Sequence, residues 1–151
     1  MRAVIQRVRC AGVTVDGKVT GSIDKGLLVY LGVCDADDEQ TCMKLASKVA
    51  RLRIFEDEAG KMNLSVSDVG GDVLVVSQFT LYASLRKGNR PSFDEAGRPE
   101  KAERLYGVFM KDLAGLGLKV EHGVFGAHMH VVYENDGPVT IIADSADLFG
   151  K

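Results

Sequence analysis

The spacing of apolar and polar positions changes along the chain and predicts a sheet-rich first third. Residues 2–8 and 12–15 are rich in β-prone residues and lead into Asp16-Gly17. This dipeptide favours a two-residue hairpin turn, because such a turn needs positive φ at both positions. Residues 26–33 are almost continuously apolar, which is typical of a strand buried on both faces. The pattern therefore predicts a hairpin followed by a central strand.

Two later segments have the spacing of amphipathic helices. The first helix is predicted to have acidic residues 37–39 in its first turn and basic residues towards its end, as the helix dipole favours. Its apolar face consists of Cys42, Leu45, Ala46, Val49 and Leu52. The second helix is predicted to begin near Pro99, a residue that the first helical position tolerates. Its apolar stripe consists of Ala102, Leu105, Tyr106, Phe109 and Leu113.

The remaining pattern completes a mixed α+β prediction within the α/β class. Residues 72–82 are predicted to form a second buried strand, with further strands in 118–120, 128–133 and 139–143. Residues 83–98 form a long irregular segment, and loops of that length are usually functional or mobile. We expect one domain over residues 1–151, with much antiparallel sheet and two main helices.

Composition restricts the partners and the compartment. The formal net charge of -2 argues against broad duplex binding, although a local contact with one nucleic-acid end remains open. The three cysteines have no CxxC spacing, so we expect reduced, mostly buried thiols in a reducing compartment. Neither a signal peptide nor an apolar run of membrane length is apparent, so a cytoplasmic location and no membrane partner are predicted.

The usual catalytic motifs are missing from the sequence. There is no GxSxG, GxGxxG, HExxH or P-loop motif. His128 and His130 would share one face of a strand, but no third ligand with clear spacing accompanies them. We therefore predict no metal and no cofactor, and we place the two histidines on a solvated or interface-facing strand edge.

Two polar segments nevertheless interrupt apolar surroundings. In residues 77–81, SQFTL, hydroxyl and amide groups follow an apolar run, which suits either a strand leaving the core or the wall of a pocket. In residues 135–140, NDGPVT, a plain turn before a strand is a sufficient explanation. That explanation does not account for both segments occurring together in a chain that lacks a standard catalyst.

The two segments resemble the paired signature motifs of the D-aminoacyl-tRNA deacylases, the D-tyrosyl-tRNA deacylase family. The similarity continues almost to Ser145, and one departure is His128, where relatives are expected to have an acidic residue. The tail at about 146–151 carries no family signal and is expected to be flexible. The other segments that carry the resemblance are 7–17, 26–33, 52–63, 71–83, 87–93 and 125–129.

The resemblance implies a fold, an assembly and a reaction. The fold would be a compact, two-sheet, largely antiparallel sandwich or roll, acting as a homodimer with the pocket at the subunit interface. Gly137-Pro138, with a cis peptide bond, would form part of that pocket. The reaction would be hydrolysis of the ester that joins a D-amino acid to the 3′-terminal adenosine of tRNA, which proofreads chirality in translation.

Site roles follow from that reaction. Backbone N–H groups of Phe79 and Thr80 would hold the developing oxyanion, with Ser77, Gln78 and Thr80 shaping the site and the substrate's 2′-hydroxyl assisting. A rigid backbone at Gly137-Pro138 would reject every L side chain, and glycine would pass. Contacts to tRNA are predicted for Phe125 and Met129 at the terminal adenine, and for Lys87, Arg90 and Arg86 at the acceptor-stem phosphates.

Several alternatives stay open at this point. Phe125 and Met129 equally suit core packing, and the basic residues of 83–98 suit a solvated loop. Thr80 or Ser77 would serve as a nucleophile if a general base were near. A non-catalytic dimer that recognises nucleic-acid or peptide termini is a further reading.

Overall fold

The computed structural model describes residues 1–150. Eight strands, three α-helices and one 3-10 helix make up this part of the chain. In chain order the elements are β1 (Arg2–Val15), β2 (Lys18–Ile23), β3 (Gly26–Gly32), α1 (Glu39–Ala50), β4 (Phe55–Glu56), β5 (Met62–Leu64), β6 (Asp72–Ser77), the 3-10 helix (Phe79–Tyr82), α2 (Pro99–Gly115), β7 (Val120–His122), β8 (His130–Asp144) and α3 (Ser145–Phe149).

The main sheet is organised around the long strand β1. Strands β2, β3 and β8 all pair with β1 in antiparallel fashion, whereas β3–β6 and β6–β7 are parallel pairs. A Cβ on Gly21 of β2 would lie 2.5 Å from the carbonyl oxygen of His122 in β7, so the sheet curls until these strands nearly meet. A second sheet contains β4 and β5. The predicted mixed α+β fold with two sheets is confirmed.

The predicted hairpin and central strand are also confirmed. Asp16 and Gly17 have φ values of 49° and 76°, and Val15 pairs with Lys18 across the turn. β3 lies between β1 and β6, as its apolar run predicts. The two predicted segments 2–8 and 12–15 belong to one strand, β1. Along one edge of β1, β3 pairs with residues 2–8 and β2 pairs with residues 11–15.

The helices pack their predicted apolar faces into the core. Asp38 caps α1 by accepting a hydrogen bond from the Thr41 N–H at 2.7 Å, so this helix begins at Glu39 and Asp37 lies outside it. Asp37 is instead buried and pairs with the ammonium group of Met1. The predicted stripe of α2 is buried at all five positions, whereas Leu52 lies beyond the end of α1 and is half-buried.

The prediction of a strand over 72–82 is wrong at its end. β6 stops at Ser77, and the chain turns into the 3-10 helix, where the Leu81 N–H bonds to the Gln78 carbonyl oxygen at 3.3 Å. The neighbouring strand β3 ends at Gly32, so only the Gln78 N–H still finds a partner there, the Leu31 carbonyl oxygen at 2.9 Å. Without a strand to pair with, the following residues bond locally.

Three smaller predictions also change. The predicted strand 139–143 and residues 130–133 of the predicted strand 128–133 belong to the single strand β8, and β7 begins only at Val120, the last residue of the strand predicted at 118–120. Cys10 is exposed rather than buried. Residues 145–149 form α3, which includes 146–149 of the tail predicted at about 146–151; Ser145 is buried, and Lys151 lies outside the described residues. None of the helices in residues 1–150 is both long enough and apolar enough to cross a membrane.

Candidate active site

A cleft of about 640 Å³ opens where β6 gives way to the 3-10 helix. Its walls come from the end of β3, the segment 93–99, the start of α2 and the segment 125–129. Among the described residues that line it there is no lysine, aspartate or glutamate. Its ionisable side chains are those of Arg98, Tyr106 and His128.

The SQFTL segment forms one wall of this cleft. Ser77, Gln78 and Phe79 line it, whereas Thr80 is exposed outside the lining and accepts a hydrogen bond from the Gln78 side-chain amide. Within residues 1–150, the backbone N–H groups of Phe79 and Thr80 have no hydrogen-bond partner, as expected for the first N–H groups of a helix. Two adjacent donors are therefore available at the end of a buried strand.

Another part of the cleft wall contains the two residues predicted to contact adenine. Phe125 and Met129 both line the cleft and are half-buried, so each contacts the core and the cavity. The Phe125 ring lies 6.0 Å from that of Tyr106. The Tyr106 hydroxyl donates to the Val75 carbonyl oxygen at 2.9 Å, and burial raises its pKa to about 12. This phenol is therefore neutral near pH 7 and already engaged as a donor.

The predicted phosphate contacts lie outside the cleft. Ser84 and Ser92 pair through two backbone hydrogen bonds of 2.8 and 3.0 Å, and Lys87 and Arg90 are exposed on the loop between them. Phe93, directly after this loop, enters the cleft and packs edge-on against Phe79, with ring centroids 5.0 Å apart. The irregular segment 83–98 thus contributes its second half to the cleft wall.

The Gly137-Pro138 motif is a bulge inside β8 and not a turn before a strand. Gln6 of β1 pairs with Thr140, and Val8 pairs with Asn135, so residues 136–139 all lie opposite Arg7. The Gly137–Pro138 peptide bond is cis, as the resemblance implies, and Gly137 has φ +142°. A side chain at that φ is strained, and a Cβ there would lie 2.7 Å from Cγ2 of Val139.

A buried arginine holds this bulge in place. Arg7 Nη1 donates to the Ile54 carbonyl oxygen at 2.7 Å, and its Nε donates to the Asp136 carbonyl oxygen at 3.0 Å. The Asn135 side-chain amide donates to the carbonyl oxygens of Arg7 and Val139, both at 3.0 Å. Sequence reasoning missed Arg7 and Asn135. The signal for Arg7 was a charge at an inward-facing position of an alternating strand, two residues after buried Ile5.

The cleft and the bulge are separate places in one chain. Ser77 pairs with Leu31 of β3, whereas Arg7, opposite the bulge, pairs with Leu27. The four-residue offset corresponds to roughly 13 Å along the strands, and the path from β6 to β8 crosses three strand spacings, roughly 14 Å. Gly137 and Pro138 do not line the cleft of their own chain and are exposed.

The curled sheet, the helices packed against it and the cleft at the end of β6 define a small mixed α+β class of protein. The sequence model described as D-Tyr-tRNA(Tyr) deacylase matches residues 4–144. The chain therefore belongs to the D-Tyr-tRNA(Tyr) deacylase family, which confirms the resemblance, and it is a deacylase, a hydrolase.

Individual relatives agree with this assignment. Over 149 residues the chain is 60% identical to the D-aminoacyl-tRNA deacylase of Thermotoga petrophila, covering 99% of this chain and 100% of that protein. It is 57% identical over 148 residues to that of Aquifex aeolicus, covering 98% and 100%. The solved structure of the c-Myc DNA Unwinding Element Binding Protein has a TM-score of 0.89 at 42% identity, covering 95% of this chain and 98% of that one.

A more distant solved structure shows the same fold. It is that of a probable eukaryotic D-amino acid tRNA deacylase, with a TM-score of 0.82 at 18% identity, covering 94% of this chain and 97% of that one.

Proposed function

We propose that this deacylase hydrolyses the ester between a D-amino acid and the 3′-terminal adenosine of tRNA, and so proofreads chirality in translation. The observation that carries the proposal is the pair of unpartnered N–H groups on Phe79, which lines the cleft, and on the adjacent Thr80. Family membership over nearly the whole chain supports the substrate class. That substrate also implies the cytoplasm, where aminoacyl-tRNA is made and used.

The chemistry suits a cleft without a side-chain triad. An aminoacyl ester is already activated, so orienting it towards water accounts for much of the rate, and well-oriented reactions gain roughly 7–11 kcal/mol in this way. Water adds to the ester carbonyl, and the N–H groups of Phe79 and Thr80 stabilise the negative charge on its oxygen. The ester bond then breaks, the released ribose oxygen takes up a proton, and the substrate's neighbouring 2′-hydroxyl assists.

The selectivity half of the site is proposed to come from a second copy of the chain. Gly137 and Pro138 are exposed on β8, and Val132 and Ile142 of the same strand are 74% and 70% exposed. Within residues 1–150, the outer edge of β8 pairs with no other strand. An edge strand of fifteen residues with exposed apolar side chains is a template for association. In the proposed homodimer, Gly137-Pro138 of one subunit reaches the cleft of the other.

A backbone filter at Gly137-Pro138 accounts for breadth and selectivity together. D- and L-aminoacyl esters differ only in the directions of the side chain and the hydrogen on the α-carbon. A pocket that recognised one particular D side chain would not bind D-amino acids with other side chains. A rigid backbone on the L side rejects all L side chains alike. Gly137 permits a close approach, and Arg7 and Asn135 prevent the bulge from yielding. Glycine has no side chain to reject, so glycyl-tRNA is also a proposed substrate.

The tRNA end is proposed to bind in two places. Phe125 and Met129 present apolar surface to the terminal adenine, since bases stack on such surfaces. Lys87 and Arg90 on the exposed loop contact phosphates of the acceptor stem.

One experiment tests reaction and filter together. The purified protein is incubated in parallel with D-tyrosyl-tRNA, L-tyrosyl-tRNA and glycyl-tRNA, and the fraction of ester remaining is followed over time. We expect cleavage of the D- and glycyl-esters and survival of the L-ester. If neither tyrosyl ester is cleaved, the proposed substrate class is wrong. If the D-ester is cleaved but the glycyl ester is not, selectivity does not come from steric exclusion of the side chain. Light scattering during gel filtration tests the dimer, and an active monomer contradicts the shared site.

A further inference from the structure

One strongly basic side chain stands at the mouth of the cleft. Among the described residues that line it, Arg98 is the one lysine or arginine, and no aspartate or glutamate accompanies it. Its side chain is 84% exposed. The lining of the cleft therefore offers an anion one guanidinium and contains no carboxylate, although the Asp35 carboxylate lies beside the guanidinium outside the lining.

The backbone of Arg98 is held by hydrogen bonds, whereas its guanidinium is exposed. The Gly97 N–H bonds to the Val33 carbonyl oxygen at 2.8 Å, and a Cβ on Gly97 would lie 3.1 Å from that oxygen, so the segment lies directly against the end of β3. The Arg98 N–H donates to Asp35 Oδ1 at 3.0 Å. The guanidinium reaches Asp35 Oδ2 only at 3.9 Å, an exposed contact that contributes little.

We propose that Arg98 forms a phosphodiester subsite for the phosphate on the 5′ side of the terminal adenosine. The inference rests on the proposed deacylation of tRNA. With the ester at Phe79 and Thr80 and the adenine on Phe125 and Met129, the RNA backbone has to leave through the mouth of this cleft. A guanidinium binds phosphate oxygens with two parallel N–H donors, which suits a backbone that passes by it.

This role differs from that of Lys87 and Arg90. Those side chains lie on the loop beyond the Ser84–Ser92 bridge and do not line the cleft. They are placed for phosphates further along the acceptor strand, which only a longer substrate possesses. Arg98 is placed for the phosphate that joins the terminal adenosine to the preceding nucleotide. Substrate length therefore separates the two contributions.

The test uses three D-tyrosyl esters: that of adenosine, that of the trinucleotide CCA and that of whole tRNA. The variants are Arg98→Ala and Arg98→Lys, with Arg104→Ala as the matched control. Arg104 is an exposed arginine of α2 that pairs with Glu39 and does not line the cleft. Thermal melting checks that each variant is folded. Initial rates give kcat/KM for each ester, and repetition at several salt concentrations gives the salt dependence.

For Arg98→Ala we expect kcat/KM to fall roughly tenfold on the CCA ester and on tRNA, mainly through KM, because one charge-assisted contact is lost. On the adenosine ester, which has no phosphate, the loss should stay within about twofold. The slope of log(kcat/KM) against log[salt] for the CCA ester should become shallower by about 0.7, the value for one phosphate on a single strand. Arg98→Lys should recover part of the loss, and Arg104→Ala should match the wild type.

Equal losses on all three esters, or no loss on the CCA ester, overturn the subsite. Neither result touches the proposed function, which the wild type tests independently by cleaving the D-ester of tRNA. A wild type that cleaves none of the three esters contradicts the proposed function itself.

Discussion

The segments 77–80 and 136–139 both place polar residues beside apolar strands, but they have different surroundings in the folded chain. The first lies where β6 loses its partner strand, and Ser77, Gln78 and Phe79 form the wall of a cleft in their own chain. The second is a bulge on the outer strand β8, held from behind by Arg7 and exposed on its front. One segment has a cavity beside it, and the other has a support behind it. A single chain therefore contains both parts of the proposed site, the cleft wall and the Gly137-Pro138 bulge, but does not bring them together.

The largest expected effect comes from removing the support of the bulge. Arg7→Ala leaves the carbonyl oxygens of Ile54 and Asp136 without a donor and opens space beneath β8. We expect the free energy of unfolding to fall by roughly 2–4 kcal/mol in denaturant titrations, since buried polar groups lose their partners. Discrimination against L-tyrosyl-tRNA should also weaken in the protein that remains folded.

The matched control for Arg7 is its neighbour Arg9. Arg9 also lies on β1 and pairs with Glu134 of β8 at 3.4 Å, but both side chains are exposed. Arg9→Ala should change the stability by less than about 1 kcal/mol. Similar losses for the two variants would show that burial of Arg7 is not what supports the bulge.

The next largest effect is expected at the bulge itself. Gly137→Ala places a Cβ 2.7 Å from Cγ2 of Val139 at a φ of +142°, and we expect a loss of roughly 1–3 kcal/mol in unfolding free energy. The substitution should affect selectivity more than catalysis. The ratio of D- to L-ester cleavage should therefore fall by a larger factor than the rate of D-ester cleavage. A variant that loses D-ester cleavage and still ignores L-esters contradicts the assignment of a filter.

Gly107 provides the control for this substitution. It lies in α2, where a Cβ would meet nothing within 4 Å. Gly107→Ala should stabilise the protein by roughly 0.5–1 kcal/mol through helix propensity and leave the ratio of D- to L-ester cleavage unchanged.

A smaller effect is expected on the cleft side. Thr80→Ala removes a hydroxyl that accepts from the Gln78 side chain but keeps the backbone N–H groups. If those groups stabilise the oxyanion, kcat should fall less than about tenfold, because orientation of Gln78 alone is lost. Complete loss of turnover with an unchanged melting temperature would favour Thr80 as nucleophile. His128, which lines the cleft, would then be the base to test through His128→Gln.

The smallest effect is expected at the far end of β8, away from both segments. Burial opposes ionisation of Asp144, but the Ala146 N–H and the Arg2 side chain hold its pKa below the ordinary value. A depressed pKa in the folded state gives stability that is present above the ordinary pKa and is lost as the pH falls through the folded value. Asp144→Asn should therefore cost about 1 kcal/mol at pH 7 and progressively less below about pH 4.

The measurement for Asp144 is urea unfolding of both proteins at pH 7 and pH 3. A difference in stability that does not shrink at the lower pH would show that the carboxylate charge is not responsible. Selectivity between D- and L-esters should be the same in both proteins, in contrast to Gly137→Ala.

Local rules were sufficient for much of the fold. The hairpin at Asp16-Gly17, the buried strand β3 and the five-residue stripe of α2 each depend on the chemistry of a few neighbouring residues, and each is confirmed. The end of β6 was predicted wrongly because strand propensity continues through 78–82, whereas pairing depends on where β3 ends. Sequence patterns report what a segment prefers and contain no information about the length of its neighbour.

The candidate site also has some features that the sequence indicates and others that only the tertiary structure shows. The SQFTL and NDGPVT segments stand out in the sequence because polar groups interrupt apolar runs, and their resemblance gives the family. The roles of Arg7 and Asn135 depend on a register in which four residues of β8 face one residue of β1, a non-local fact. The placement of Arg98 at the mouth of the cleft likewise depends on Gly97 lying against the end of β3.

By itself, the sequence determined the hairpin, the central strand, the two main helices, the family and the two motifs, because these depend on side-chain chemistry and short-range spacing. Only the tertiary structure decided that 77–80 borders a cleft while 136–139 faces outward, roughly 13 Å further along the strands. The physical reason is register: pairing between distant strands fixes which residues meet, and no local pattern encodes that alignment.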